Sequence, residues 1–407
     1  MADDKLRTLT EEALHLATSS EEKNFYRRAY ILFSQGLERH IDKIVYLGKK
    51  EKRKVLAPSP TLKKFHRTVM QLLHNCGAYR FNESVIGSVK GRSRKNLIKD
   101  RYRKYTCEIL SDGFKPDDSK KIIMIKVDIR QAFESLAEYR VHSVLRDALE
   151  LILLPLKRGP SEYTLAAGII PPEGEVYNTN SKWDVKVRQC NYLYQLIDEL
   201  VGICVYKSRL PIGLPLSPAI FNMALRTIDS RIERALVSLS TRNATITTAD
   251  SIDLTKAPDK KKVSMQLTSG SYHRYVDDII IFTHRANKGI IKITHRILQS
   301  EGLKLNPRKT KVIPFSSGWS GLGMALSTPL VPPTKKFMKK ARGLWHRWTT
   351  MKDKTAYEKL KGMIASAEHY PFENGVIAKK LGLRIARDPK NRNLRQRGPW
   401  ELVPLDQ

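Results

Sequence analysis

The sequence predicts an α+β fold in which short strands carry acidic residues at their ends and amphipathic helices back them. Three stretches predict it. Ile122–Asp128 is an apolar, largely β-branched run, broken only by Lys126, that ends on a carboxylate. Tyr272–Thr283 reads as strand–turn–strand, with β-rich arms on either side of Asp277-Asp278. Apolar residues recur at helical spacing through most of the first eighty residues and again over Ala286–Ser300.

In order along the chain, Leu9–Glu12 opens a helical run that Ala29–Ile44 continues. Pro58 and Pro60 break it, and Leu62–Leu73 resumes it. Residues 1–78 are thus expected to be a helical N-terminal extension. Arg80–Lys104 is strongly basic and includes Lys90 and Arg92. Beyond the Ile122–Asp128 strand, Glu134–Leu154 is expected to be a long helix, Pro155–Asp184 a proline-rich loop, and Asn191–Cys204 a helix. Pro211-Ile212-Gly213-Leu214-Pro215 is a rigid turn, and Ser217–Leu236 reads as one helix. Residues 241–270 are polar and read as an excursion from the fold. Short strands are expected near Lys304, Lys311 and Leu322. Pro332-Pro333 marks a boundary to a basic region of helices and a poorly structured tail.

Charge narrows the function. Lys and Arg number 73 against 41 Asp and Glu, a net charge of +32 over 407 residues. Such a surplus repels itself unless a polyanion shares it, which favours nucleic acid ahead of an anionic membrane surface. The four cysteines, Cys76, Cys107, Cys190 and Cys204, form no CxxC pair, which argues against a zinc site or a disulfide framework. The acidic, polar N-terminus is unlike a signal peptide, and no apolar run reaches the ~18 residues of a membrane span. A soluble, cytoplasmic protein without a membrane partner is expected.

The chemistry is carried by acids. Asp277 and Asp278 sit between apolar strands, where neighbouring like charges resist ionising. A tight turn would account for them, since Asp is a common turn residue. A hard divalent cation accounts for them as well, and relieves the repulsion. Asp128 ends a second buried run, so the two strand ends could lie side by side. Three carboxylates so gathered suit a pair of Mg²⁺ ions ~3.5–4 Å apart, one serving an attacking hydroxyl and the other a triphosphate. A helix starting straight after Asp128 would offer free amides to phosphate oxygens, Ile129 among them.

The order of these elements resembles that of the reverse transcriptases, from about Arg80 to Leu326. Val127-Asp128 through Phe133 is similar to their first catalytic motif, and Leu210–Ala219 to their glycine turn and following helix. Tyr275-Val276-Asp277-Asp278 is similar to their YxDD box, Gly302–Asn306 through Lys309-Thr310 to the next motif, and Gly321-Leu322-Gly323 to their primer-grip turn. The resemblance implies a right-hand polymerase, with fingers and an antiparallel palm over 79–330 and a basic helical thumb over 331–407. It implies Mg²⁺ held by Asp128, Asp277 and Asp278, and Lys309 protonating the leaving pyrophosphate. Phe133 would be the steric gate against a ribose 2′-hydroxyl, with a packed core aromatic as its plain alternative. Gly213 and Ser217, with Lys90, Arg92 and Ile129, would contact the incoming nucleotide. Tyr275, Gly321, Leu322 and Gly323 would lie along the primer.

Ile212 departs from the pattern, since many reverse transcriptases have Gln there. No ribonuclease H carboxylate set follows the polymerase motifs, and the NAxxH and VTG signatures of retron enzymes are missing. The layout is similar to the antiphage defence-associated reverse transcriptases of bacteria, the abortive-infection and unknown-group types. That implies an RNA template, a structured non-coding RNA by analogy, with a DNA product or primer and deoxynucleoside triphosphates as the other partners. Self-association is compatible with it. A retron-type enzyme and a catalytically idle RNA-binding scaffold are the alternatives. Phosphate contacts should dominate binding and weaken it steeply with salt.

Overall fold

The structure is a computed structural model describing residues 2–47, 53–75, 81, 84–89, 92, 122–158, 182–249, 270–284, 288–314, 317, 320–321, 324–325, 335–367, 383–387 and 400–404. Its first helices are α1 (Ala2–Leu16) and α2 (Ser20–Gln35). The Ser19 hydroxyl accepts from the Glu22 amide at 3.1 Å, and Glu22 accepts from the Thr18 amide at 3.0 Å, so donors at the start of α2 are satisfied from both directions. Periodicity alone carries this helix to Ile44. The structure closes it at Gly36 and sends the chain into β1 (Ile41–Leu47), paired antiparallel with β2 (Arg53–Pro58). Ile44, Val45 and Tyr46 are strand-favouring residues whose apolar spacing also fits a helix, which is why periodicity misreads them. Ser59 then caps α3 (Pro60–Asn75), with Pro60 in the first turn where its missing amide costs nothing.

β3 (Ile122–Asp128) is followed by α4 (Glu138–Arg158), α5 (Lys182–Gln195), α6 (Ile197–Gly202), α7 (Ser217–Ala224) and α8 (Arg226–Ala249). The expected long helix after Asp128 therefore starts at Glu138, and the expected Ser217–Leu236 helix is two helices parted at Leu225. Next come β4 (Ser271–Tyr275), β5 (Asp278–His284), α9 (Ile290–Ser300) and β6 (Lys311–Pro314). Two short strands follow, β7 (Ser320–Gly321) and β8 (Met324–Ala325), then α10 (Lys335–Met351), α11 (Lys354–Ala367) and the pair β9 (Leu383–Arg387) and β10 (Trp400–Pro404). The stretch expected to be a poorly structured tail thus contains a two-stranded hairpin. Lys304 lies outside any strand; its neighbour Leu305 makes only an isolated bridge to Ile129.

The central sheet has four antiparallel strands in the order β4-β5-β3-β6. Ile123, Met124, Ile125 and Val127 are all buried, so β3 is covered on both faces. That is why its sequence is a continuous apolar run and not an alternating one. α8 packs against β4 and against α9. This is the α+β arrangement that the resemblance implies, a palm-like antiparallel sheet backed by helices.

One apolar core joins this sheet to the N-terminal helices, with Phe25, Leu32, Phe65 and Val69 in the same cluster as Ile125 and Ile281. Polar links reinforce it. The buried Glu22 carboxylate accepts from Arg188 Nε at 2.9 Å and Nη2 at 3.0 Å, and the Thr10 and Tyr192 hydroxyls meet at 2.9 Å. Both contacts fasten the first two helices to α5.

The β1–β2 hairpin is fastened by main chain to the Pro211–Pro215 turn. The Leu56 amide donates to the Ile212 carbonyl at 2.8 Å, and Val55 bridges Ile212 in parallel. Gly213 lies at φ 111, and a Cβ there would come within 2.1 Å of the Leu56 carbonyl oxygen. Gly213→Ala should therefore destabilise the protein by about 2–3 kcal/mol, through backbone strain and the overlap with Leu56. Denaturant unfolding checks this; an unchanged midpoint would contradict the seam.

Candidate active site at the end of the central sheet

Three carboxylates reach the same end of the sheet. Asp128, the last residue of β3, lies directly opposite Asp278, the first residue of β5. Asp277 and Val276 form the two-residue turn between β4 and β5, and the Asp277 carbonyl accepts from the Ile129 amide at 3.3 Å. So short a hairpin loop asks for positive φ. Val276 supplies it, at φ 59, a conformation that β-branched residues rarely adopt.

Burial, then the charges of Asp278 and Asp128, push the Asp277 carboxyl above its ordinary range, while Arg53 pulls it back. Burial also raises Asp278, with Asp128 adding to the effect and Lys126 and Lys309 opposing it. Asp128 has its own partners. Lys309 Nζ donates to both of its carboxylate oxygens, at 3.0 and 3.1 Å, and Asn306 Nδ2 donates to one of them at 3.2 Å. The Asn306 amide also donates to the Asp128 carbonyl at 2.8 Å, so the Lys304–Thr310 loop wraps the strand end.

The donor set suits a hard divalent cation in chemistry, since two raised carboxyls and a third opposite them are all oxygen ligands whose repulsion a cation would relieve. In geometry the Asp128 oxygens are engaged by Lys309 and Asn306. Among the described residues, no three Asp, Glu, His or Cys side chains are gathered closely enough to hold an ion as they stand.

A stability consequence follows from the raised pair. The folded state binds protons on Asp277 and Asp278 more tightly than the unfolded chain does. Stability should therefore fall as pH rises from the ordinary carboxylate range through the raised one. In metal-free protein at neutral pH, Asp277→Asn should raise the melting temperature, by removing a half-buried charge beside two others. Thermal melts in a chelating buffer test this, and a lowered melting temperature would contradict it.

The other expected site residues are distributed as follows. The half-buried Phe133 ring stacks on Phe221 with centroids 5.0 Å apart. Ile129 is buried and its amide is taken by Asp277, and residues 130–135 form turns, so no helix N-terminus follows Asp128 directly. Of the amides expected to face phosphate there, Ile129's is thus engaged, and Arg130's is drawn to the Lys304 carbonyl at 2.7 Å. Ser217 opens α7 and is buried, its hydroxyl without a partner among the described residues. Tyr275 is half-buried and pairs with Asp278 in register. Gly321 lies in β7, away from the central sheet's pairing, whereas Lys90, Leu322 and Gly323 lie outside the described residues. Arg92 donates to the Val85 carbonyl at 2.8 Å and the Phe81 carbonyl at 2.5 Å. Its guanidinium is thus held by backbone carbonyls of the same segment.

Three features escaped the sequence reading. Arg53, on β2, is near enough to Asp277 to lower its pKa, although the two are far apart in the chain. Asn306 reads as a turn residue and gives no sign of its grip on Asp128. Arg274 is wholly buried and paired with Asp229 at 2.7 Å. An arginine on the strand that leads into the acid pair was a usable signal.

Comparison with known proteins fits this geometry. Residues 177–326 match the reverse transcriptase (RNA-dependent DNA polymerase) family model. That span includes four of the five motifs, from the Leu210–Ala219 turn to Gly321–Gly323, and begins after Asp128. Over 132 residues, 31% of this chain, the sequence is 30% identical to the Retron Ec73 reverse transcriptase of Escherichia coli, covering 34% of that protein. Similar solved structures include apo telomerase from Candida tropicalis (TM-score 0.38, 16% identity, 72% of this chain and 49% of that one). Another is telomerase from Candida albicans in complex with a fragment of telomeric RNA (TM-score 0.37, 12% identity, 79% of this chain and 54% of that one). The chain spans about a third of the retron enzyme and about half of these telomerases. The enzyme class read from the motifs and the class of the matching family agree: RNA-directed DNA polymerase. No described helix is long and apolar enough to cross a membrane.

Proposed function

We propose that this chain synthesises DNA on an RNA template by two-metal nucleotidyl transfer. One observation carries the reading: Asp128 and Asp278 face each other across adjacent strands with Asp277 in the turn that leads into β5, within a chain whose residues 177–326 match the reverse transcriptase family. Asp128, Asp277 and Asp278 would hold two Mg²⁺ ions, which when bound lower the pKa of the attacking hydroxyl and neutralise the triphosphate. Lys309, which contacts Asp128, would on release from it give a proton to the leaving pyrophosphate. Phe133, held by Phe221, would crowd a ribose 2′-hydroxyl, and Arg53, close to Asp277, joins Arg92 as a candidate for the triphosphate. Gly213, Ser217 and Tyr275 would line the nucleotide and primer, with the basic α10 and α11 as a thumb and Gly321–Gly323 beside the primer.

The template would be a structured non-coding RNA and the setting antiphage defence in the bacterial cytoplasm. Purified protein with its co-purifying RNA, Mg²⁺ and deoxynucleotides should yield DNA, and Asp277→Asn should abolish both that product and phage restriction. Absence of product, with Asp277→Asn restricting phage as well as wild type, would defeat the reading. The partial identity to the Ec73 enzyme favours a second reading, a retron-type product in which DNA is joined to RNA. Ribonuclease and debranching treatment of the product separates the two.

A further inference from the structure

The Tyr275–Asp278 turn is held from behind by a buried polar network with no evident part in binding substrate. Arg274 donates from Nε to Asp229 Oδ1 and from Nη2 to Asp229 Oδ2, both at 2.7 Å, a two-pronged pair with neither partner exposed. Tyr272 adds a third donor to Asp229, its hydroxyl lying 2.5 Å from Oδ1. That fixes the orientation of the guanidinium and leaves Nη1 to reach forward. It donates to the Val276 carbonyl at 2.9 Å and to Asn222 Oδ1 at 2.7 Å. Asn222 in turn donates from Nδ2 to the Gly87 carbonyl at 2.7 Å. Gly87 lies against the other side of the turn, where a Cβ would come within 2.6 Å of the Val276 amide nitrogen. Main-chain bonds seat that segment on β4: the Ile86 amide donates to the Arg274 carbonyl at 2.8 Å, and the Arg274 amide to the Ser84 carbonyl at 2.9 Å.

The residue so gripped is Val276, a β-branched residue held at positive φ in the turn. A valine at φ 59 persists only where its surroundings over-determine it, and such strain concentrates where geometry matters to function. The next two residues are Asp277 and Asp278. We propose that Arg274, oriented by Asp229 and Tyr272 and coupled through Asn222 to Gly87, is a positioning residue that clamps the strained turn and so sets the affinity of Asp277 and Asp278 for divalent cations. This rests on the metal-site reading above and deepens it. The clamp acts through the Val276 carbonyl, and Arg274 need touch neither metal nor substrate.

The test is Mn²⁺ binding to the full-length protein, followed by electron paramagnetic resonance of the free ion, beside thermal melts and Mg²⁺ titrations of primer extension. Arg274→Lys keeps a cation for Asp229 and gives up the forward reach to Val276. Asn222→Ala cuts the link to Gly87 and leaves the Arg274–Asp229 pair in place. Each should weaken Mn²⁺ binding and raise the half-saturating Mg²⁺ by about tenfold, the scale of effects for groups that orient metal ligands. Affinity for an RNA–DNA duplex without metal should not change. Adding Val276→Gly to Arg274→Lys should recover most of the lost affinity, because glycine holds positive φ without a clamp. A folded Arg274→Lys protein with wild-type Mn²⁺ affinity overturns the proposal, as does a loss that Val276→Gly fails to recover. Should Arg274→Lys not fold, Asn222→Ala decides by the same measure. Wild-type protein whose Mn²⁺ binding is absent, or survives Asp277→Asn, defeats the metal-site reading itself, an outcome distinct from failure of the clamp alone.

Discussion

Asp277→Asn is expected to lower primer extension by on the order of 10³-fold or more, with duplex binding in the absence of metal unchanged. The size follows from the position of the group. Asp277 sits in a two-residue turn that ties to Ile129 through its own carbonyl, so an amide side chain at this position should leave the turn intact and remove only a charged ligand. The same substitution is expected to raise the melting temperature of metal-free protein. Activity and stability should therefore move in opposite directions, which a variant that merely misfolds could not produce. Single-turnover extension on a defined template–primer, beside melts with and without Mg²⁺, reads both. Activity within tenfold of wild type would remove Asp277 from the chemistry.

The largest effect on stability should come from Asp229→Ala, at about 3–5 kcal/mol. Arg274 is wholly buried, and two of its three donor nitrogens are directed at Asp229. Taking away the carboxylate leaves a buried guanidinium without its counter-charge, with the Tyr272 hydroxyl also short of its acceptor. Replacing both partners, Asp229→Leu with Arg274→Met, should restore most of the loss, because neither charge then remains to be desolvated. Urea unfolding of the two variants distinguishes this from a packing defect, for which the double change would be at least as damaging as the single one.

Much of the sheet was legible because β3 and β5 are so apolar. Ile122–Asp128 and Tyr272–Thr283 announce themselves as strands, and their boundaries in the structure fall within a residue or two of the sequence reading. The β1–β2 hairpin was hidden, since the apolar spacing of Ala29–Ile44 satisfies a helix and strand pairing is decided by a partner elsewhere in the chain. The same holds for side chains. The acids could be named from their place at strand ends. That Arg92 spends its donors on backbone, that Lys309 and Asn306 hold Asp128, and that Arg53 lies near Asp277 are long-range facts that no local pattern encodes. Gly213 is a mixed case. The sequence marks a turn, and only the fold shows that the missing side chain makes room for the Leu56 carbonyl.

The union of α1 and α2 with the rest of the molecule bears on how short a chain could still fold. A chain trimmed to the motif-bearing stretch would strip α5 of its cover, laying bare Tyr192 and removing the buried acid that Arg188 grips. The leading helices are foundation and not ornament, and a minimal folded fragment should be sought by shortening loops, with α1 and α2 kept.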